Sequence, residues 1–186
     1  MIIFGITGTI GAGKGTIVDY LVNKNFKHFS VRAFLTEEIK KRKLPVNRDN
    51  MVIVANELRK KHSPAYIVEQ LYNIALATGD NCVIESIRTP GEVELLRSKE
   101  NFYLLAVDAL AEKRYDRIVK RKSETDNISF TEFLSNEKRE MESDDPNKQN
   151  LSKCIEQTDY KLINNTEYKN LYEQIEKILK EIKYYG

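Results

Sequence analysis

Near the amino end, Gly8-Thr9-Ile10-Gly11-Ala12-Gly13-Lys14-Gly15-Thr16 sets four glycines around one lysine, directly after an apolar run and before a helical pattern. Glycines let the backbone curl so that successive N–H groups point inward at phosphate oxygens, and a helix starting there adds its partial positive charge. A lysine at this offset reaches the β- and γ-phosphates of a bound nucleoside triphosphate. The expected ligand is ATP, held by Gly8, Gly11, Ala12, Gly13, Lys14, Gly15 and Thr16. The general pattern places Ser or Thr directly after the lysine, whereas here Gly15 intervenes before Thr16, so direct metal ligation by a hydroxyl is not implied.

Two further groups of residues carry charge suited to phosphoryl chemistry. Val83-Ile84-Glu85-Ser86-Ile87-Arg88 ends an apolar strand with an acid and, three residues on, an arginine. The carboxyl ends of parallel strands are where such sheets bind ligands, so Glu85 is expected to orient metal-bound water and Arg88 to clamp a phosphoryl group. The alternative is an exposed acid beside a helix-entry arginine. In the stretch 112–122, Arg114, Arg117 and Arg121 fall at i, i+3 and i+7 and share one helical face. Guanidinium forks bind phosphate oxygens bidentately, although a solvated face with Glu112 and Asp116 as neighbours has the same spacing.

These residues need elements to hold them. Ile2, Ile3, Phe4 and Ile6 form a nearly continuous apolar run, as in a central strand buried on both faces. Strand-like runs recur at 82–84, 102–107 and 160–163, with a weaker one at 27–30. Helical periodicity follows the loop, at Ile17, Val18, Leu21 and Val22, and again at 46–60. Ser63-Pro64 predicts a cap and first-turn proline for a helix that Gly79 stops. Thr89 with Glu92, and Ser129 with Glu132, predict capping boxes, and Leu171, Ile175, Ile178, Leu179 and Ile182 give a last apolar stripe. Strands alternating with helices imply a parallel sheet covered on both faces. The polar stretches 120–127 and 142–150 read as solvated loops.

Thirty basic residues against 28 acidic ones leave a charge of +2, which gives no global field for nucleic acid, so any anion site must be local. The 112–122 helix also lacks the apolar surface or interleaved aromatics of a membrane- or nucleic-acid-binding helix. Cys82 and Cys154 stand far apart without neighbouring His or Cys ligands, which suits a reducing, cytoplasmic setting better than a disulfide or zinc site. The amino-terminal run reads as a strand rather than a signal peptide, and no stretch has the length of a membrane span. His28 and His62 are isolated and receive no catalytic role.

The variant loop GxxGxGKGT resembles that of adenylate kinases and related nucleoside monophosphate kinases, and the likeness extends over essentially the whole chain. It looks closest to small nucleotide kinases described as adenylate-kinase-related or dephospho-CoA-kinase-like. The resemblance implies an α/β, three-layer αβα P-loop NTPase fold with a mainly five-stranded parallel sheet, as one domain over 1–186, with a helical acceptor-covering insert at about 31–64 and a lid at about 120–140. It implies ATP and Mg²⁺, the metal held mostly through water near Thr16 and Glu85. Arg117 and Arg121 match an RxxxR element leading into the lid, and Arg139 matches a lid-exit arginine returning over the phosphates. With Lys14 and Arg88, these make the expected catalytic set.

The resemblance frays after the second strand. Where the family has S-x-G-D-x-x-R, this chain has Ser30-Val31-Arg32-Ala33-Phe34-Leu35-Thr36, without the Asp and Arg that engage the acceptor. Arg32, Arg42, Arg48 or Arg59 is a candidate to replace that charge, each with a plain surface role as its alternative, and Tyr66 or Asn56 is a candidate to read a base. The expected reaction is phosphoryl transfer from ATP·Mg²⁺ to a small-molecule nucleotide acceptor, a (deoxy)nucleoside monophosphate foremost. Dephospho-CoA kinase activity, or an ATP-driven binding switch with a degenerate acceptor site, is the alternative.

Overall fold

A computed structural model describes residues 1–121 and 128–184, and the stretch 122–127 of the expected lid lies outside the described residues. Five parallel strands, β1 (Ile3–Gly8), β2 (Lys27–Ser30), β3 (Cys82–Glu85), β4 (Phe102–Asp108) and β5 (Tyr160–Ile163), pair in the order β2-β3-β1-β4-β5. All five strand runs in the sequence are therefore strands, the weak one at 27–30 included.

β1 is central and buried along its whole length. Its side chains alternate between two cores, as the two-residue period of a strand requires. Ile3 joins Cys82, Ile84 and Leu104 on one face, whereas Phe4 and Ile6 join Val83, Leu105 and Val107 on the other. Each fully buried side chain of this size contributes about 1.5–3 kcal/mol.

The second face is covered by α1 (Lys14–Val22), through Ile17, Val18 and Leu21, and by α9 (Tyr168–Glu181), through Leu171, Ile175, Ile178 and Leu179. The first face is covered by α2 (Val31–Lys41), α3 (Arg48–Lys61), α4 (Tyr66–Thr78), α5 (Pro90–Arg97) and α8 (Leu151–Glu156). The chain thus leaves β1 toward one face and β3 toward the other, which opens a crevice at their carboxyl ends.

Both predicted capping boxes form: the Thr89 and Ser129 hydroxyls accept from the N–H groups of Glu92 and Glu132, whose carboxylates accept from the cap residues in return. One expected cap does not. Pro64 and Ala65 make a turn closed by the Tyr66 N–H on the Ser63 carbonyl at 3.1 Å, so α4 begins at Tyr66 and has no side-chain cap. Within the expected helical insert, α2 is a helix that the periodicity had not singled out. α2 starts directly after β2 because the Ser30 hydroxyl accepts from the Ala33 N–H at 3.1 Å.

Beyond β4 come α6 (Ala111–Arg121) and α7 (Phe130–Met141), joined to the loop after β1 by a small cluster of Ile10, Ile118 and Phe133. Among the described residues no helix is long and apolar enough to cross a membrane.

Candidate functional site

The loop between β1 and α1 holds its shape through three glycines that no other residue could replace without displacement. A Cβ on Gly8 would stand 2.2 Å from the Val107 carbonyl oxygen, on Gly11 2.4 Å from that of Arg114, and on Gly13 2.2 Å from Asn164 Nδ2, each at positive φ. Gly15 differs: a Cβ there meets nothing within 4 Å, because this residue borders the crevice instead of the protein. Asn164, just past β5 and 2% exposed, braces the loop by donating from Nδ2 to the Ala12 carbonyl at 2.8 Å.

Lys14 folds back over the loop, donating from Nζ to the carbonyls of Gly8 at 2.9 Å and Thr9 at 2.8 Å. Burial pushes its ammonium down to about 7, helped by the Arg88 and Arg48 charges and opposed by Glu85 and Glu140. An ammonium held on loop carbonyls and partly stripped of water is poised to exchange them for an anion.

The crevice has a volume of about 680 Å³. Gly11, Gly13, Lys14, Gly15 and Thr16 line its floor, while Glu85, Ser86 and Arg88 enter from β3 and Arg117 and Arg121 from α6. Six of the expected phosphate and metal residues, Gly11, Gly13, Lys14, Gly15, Thr16 and Glu85, thus share one cleft with three of the expected arginines, Arg88, Arg117 and Arg121. Gly8 and Ala12 lie beneath the loop: Gly8 supplies a carbonyl to Lys14, and Ala12 is buried in the core.

Glu85 is fixed by hydroxyl groups, Ser30 donating to Oε1 at 2.8 Å and Ser86 to Oε2 at 3.1 Å, with His28 Nε2 3.8 Å from Oε1. Burial raises its carboxyl, but the bonds from His28 and Ser30 and the charge of Lys14 outweigh it and hold the group at about 2. It is therefore ionised at neutral pH. Ser86 adopts φ 70, the left-handed conformation that glycine takes at little cost.

Arg88 and Arg48 meet at Glu140. The Glu140 carboxylate, 4% exposed, takes Arg48 Nη2 on Oε1 and Arg88 Nη1 on Oε2, and Arg88 Nη1 also donates to Gln149 Oε1 at 2.9 Å. Arg48 is a cleft residue at the start of α3, not a surface residue. Arg59 is likewise internal: Nε and Nη2 donate to Glu92 Oε1 at 3.2 and 2.9 Å, with both side chains almost wholly buried. Arg42 lies outside the cleft lining, paired with Glu57, and Ala33 and Thr36 are not in the lining either. Arg32 does line the cleft, beside the apolar wall of Val31, Leu35, Met51, Val52 and Ala55. Tyr66 stacks on His62 at 4.1 Å, and neither Tyr66 nor Asn56 lines the cleft.

The arginine helix divides its labour differently from its spacing. Arg114 turns inward, 5% exposed, with a bidentate pair to Glu137 at 2.9 Å and a bond from Nε to the Ala109 carbonyl at 2.7 Å. Its charge is committed to joining α6 to α7. Arg117 lines the cleft while donating to the Asn164 carbonyl at 2.7 Å, and Arg121 lines it at the end of α6.

Arg139, expected to return over the phosphates, lies away from the cleft lining in this structure. Its side chain points to the outer surface, 46% exposed, and bridges to Asp49 at 3.3 Å and Asn136 at 3.1 Å. One residue is about 100° of helix, so when Phe133 and Glu137 face inward it is Glu140 that follows them and Arg139 that turns away. Glu140, Gln149 and Asn164 escaped the sequence reading, whereas Arg48 stood there as one of four candidates for the acceptor charge. The signal for Glu140 was its i+7 spacing from Phe133, and the polar stretch 142–150, though mostly exposed, folds Gln149 and the buried Asn150 back on Arg88.

Mg²⁺ suits what stands here. It keeps several waters and takes one or two carboxylates plus substrate phosphates. Glu85 is a single ionised carboxylate at the cleft, and no cluster of three or more acidic, His or Cys side chains forms a closed metal cage among the described residues.

Comparison with known proteins agrees with this geometry. A family model described as an AAA domain matches residues 5–144. A relative called UPF0200 protein from Methanococcus vannielii is 28% identical over 185 residues, covering 98% of this chain and 97% of its own. Among solved structures, TT1252 from Thermus thermophilus superposes with a TM-score of 0.58 at 18% identity, covering 97% of each chain. A gluconokinase from Sinorhizobium meliloti does so with a TM-score of 0.58 at 11% identity, covering 98% of this chain and 96% of its own. With its phosphate loop at the switch point of a five-stranded parallel sheet, the chain belongs to the AAA domain family and has the fold of a P-loop kinase.

Proposed function

We propose that this protein transfers the γ-phosphoryl group of ATP·Mg²⁺ to a nucleotide-type acceptor, a (deoxy)nucleoside monophosphate foremost, within a cytoplasmic catalytic unit spanning 1–186. The observation that carries this reading is the convergence of Arg48 and Arg88 on one carboxylate beside Lys14, which makes a second anion position within reach of the phosphate loop. A nucleotide-hydrolysing domain needs only the first. The gluconokinase likeness supports the general class but not the acceptor.

In this reading the loop amides of 11–16 and Lys14 hold the β- and γ-phosphates. Arg88 and Arg48 hold the acceptor phosphate, with the apolar wall of the insert against the rest of the molecule. An acceptor oxygen attacks the γ-phosphorus in line, the bond to the β–γ bridging oxygen breaks, and ADP leaves without a covalent enzyme intermediate. Mg²⁺, when bound, supplies charge neutralisation across the β- and γ-phosphates. Glu85 orients its water, Thr16 stands beside the phosphates, and Arg117 and Arg121 face the charge developing on the transferred group. The insert at about 31–64 and the expected lid at about 120–140, of which 122–127 lie outside the described residues, would close over these groups and exclude water. In the empty protein Arg139 bridges to Asp49 and so ties α7 to the insert, and a role over the phosphates would require it to leave that pair.

The test is a coupled ADP-release assay over a panel of ribo- and deoxyribonucleoside monophosphates, with dephospho-CoA included. Acceptor-dependent turnover that Arg48→Ala slows at least tenfold supports the proposal. ATP binding with no transfer to any acceptor defeats it in favour of a binding switch, and turnover with dephospho-CoA alone reassigns the acceptor.

A further inference from the structure

The second anion position is already filled by the protein's own carboxylate. Glu140 presents one oxygen to Arg48 and the other to Arg88, the geometry with which two guanidinium groups would share a ligand's carboxylate or phosphate. The cations are not satisfied by it alone. Arg48 Nε is buried without a hydrogen-bond partner among the described residues. Behind it Arg59, 2% exposed and also in the cleft lining, leaves Nη1 unpartnered in the same way. Buried guanidinium donors are rarely left idle, because each costs about 1–3 kcal/mol of desolvation. Even with Glu140, Glu92 and Gln149 as acceptors, Arg48 and Arg59 of the insert and Arg88 after β3 thus keep two buried donors unpartnered among the described residues.

We propose that Glu140 is a built-in competitor for the acceptor's anionic group: it neutralises Arg48 and Arg88 in the empty cleft and is displaced when a phosphate monoester dianion enters. The inference deepens the acceptor reading above and rests on it for its meaning. Charge arithmetic selects the ligand class. With Glu140 withdrawn, Arg48 and Arg88 leave two positive charges, matched by a phosphate monoester carrying about −1.5 to −2 near neutral pH but only half matched by a monocarboxylate. Neutral acceptors would have nothing to offer in exchange for the ion pairs they break. Glu140 also sits in the last turn of α7, whose Glu137 is fixed to Arg114 beside the phosphate loop. Release of Glu140 thus frees the end of that helix while its middle stays anchored.

The experiment measures binding, not turnover, so it stands apart from the fate of the kinase reading. The protein is saturated with Mg²⁺ and a β,γ-imido analogue of ATP, which fills the phosphate loop, and is then titrated with inorganic phosphate by calorimetry, with acetate as the monoanion control. The wild type should bind phosphate weakly. Glu140→Gln should bind it at least tenfold more tightly with little gain for acetate, and adding Arg48→Ala should remove the gain. If Glu140 merely positions the arginines, Glu140→Gln will bind phosphate equally or more weakly, which overturns the proposal. Should Glu140→Gln be less stable, its melting temperature must rise more with phosphate than that of the wild type; an equal or smaller rise likewise overturns it. Failure of the imido analogue to bind would instead indict the phosphate loop assignment.

Discussion

Raising the pH from 7 to 9 should weaken nucleotide binding through Lys14 alone. In the empty protein its ammonium titrates at about 7, because burial and the Arg88 and Arg48 charges outweigh Glu85 and Glu140. Bound polyphosphate adds adjacent negative charge and restores the group toward the ordinary lysine value of about 10.4. Below pH 7 the lysine is charged in both states and affinity is independent of pH. Above it, binding must take up a proton, and affinity falls about tenfold per pH unit, which is about 1.4 kcal/mol at pH 8.

Calorimetry of the magnesium imido-ATP complex in buffers of different ionisation enthalpy reads that proton directly. At pH 8 uptake should approach about 0.9 per nucleotide, because only about one lysine in eleven is already protonated one unit above its pKa. Lys14→Met, with nothing to titrate, should show no such uptake and much weaker binding. The sign for the empty fold is the reverse of the usual lysine case. A folded pKa below the unfolded one means that the unfolded chain binds more protons between about 7 and 10.4, so stability rises with pH across that window and Lys14→Met flattens the rise. Zero proton uptake at pH 8, or equal uptake by Lys14→Met, would refute the reasoning.

Glycine geometry separates two loop positions: Gly13→Ala should cost at least about 2 kcal/mol in urea unfolding through its left-handed φ and the clash with Asn164, whereas Gly15→Ala, inside α1 with open space above it, should be neutral or stabilising by up to about 1 kcal/mol. Arg59→Ala should destabilise by about 3–5 kcal/mol in the same measurement, since it strands Glu92 at 0% exposure; a loss under about 1 kcal/mol would show that the pair contributes little. Ser86→Gly should raise stability by about 0.5–1 kcal/mol by relieving φ 70, and a decrease would mean that its bond to Glu85 matters more than the backbone.

The strands and the phosphate loop were legible because one chemistry alone dictates their residues. A run such as Ile2 to Ile6 can be buried only between two helical layers, and four glycines with a lysine after a strand have few structural uses. Glu85 was legible by position, at the carboxyl end of a strand beside β1. Charged helices were not. Spacing put Arg114, Arg117 and Arg121 on one face, but it did not reveal that Glu137, a distant residue on α7, takes Arg114 out of the site. The same contact orients α7, sending Glu140 inward and Arg139 outward. Arg48 was weighed as one surface cation among several, because its partner in the cleft lies in α7 and no local pattern links them. Long-range ion pairs decide which charges face a ligand, and a single sequence records only the charges.

The most direct measurement follows the γ-phosphoryl group itself. ATP labelled in that group is incubated with Mg²⁺, the protein and a panel of monophosphates, and the products are separated. Label should move from ATP to one acceptor in wild type, with transfer lost in Lys14→Ala and reduced in Arg48→Ala. Label that stays on ATP or appears only as inorganic phosphate, whatever acceptor is present, would contradict the account.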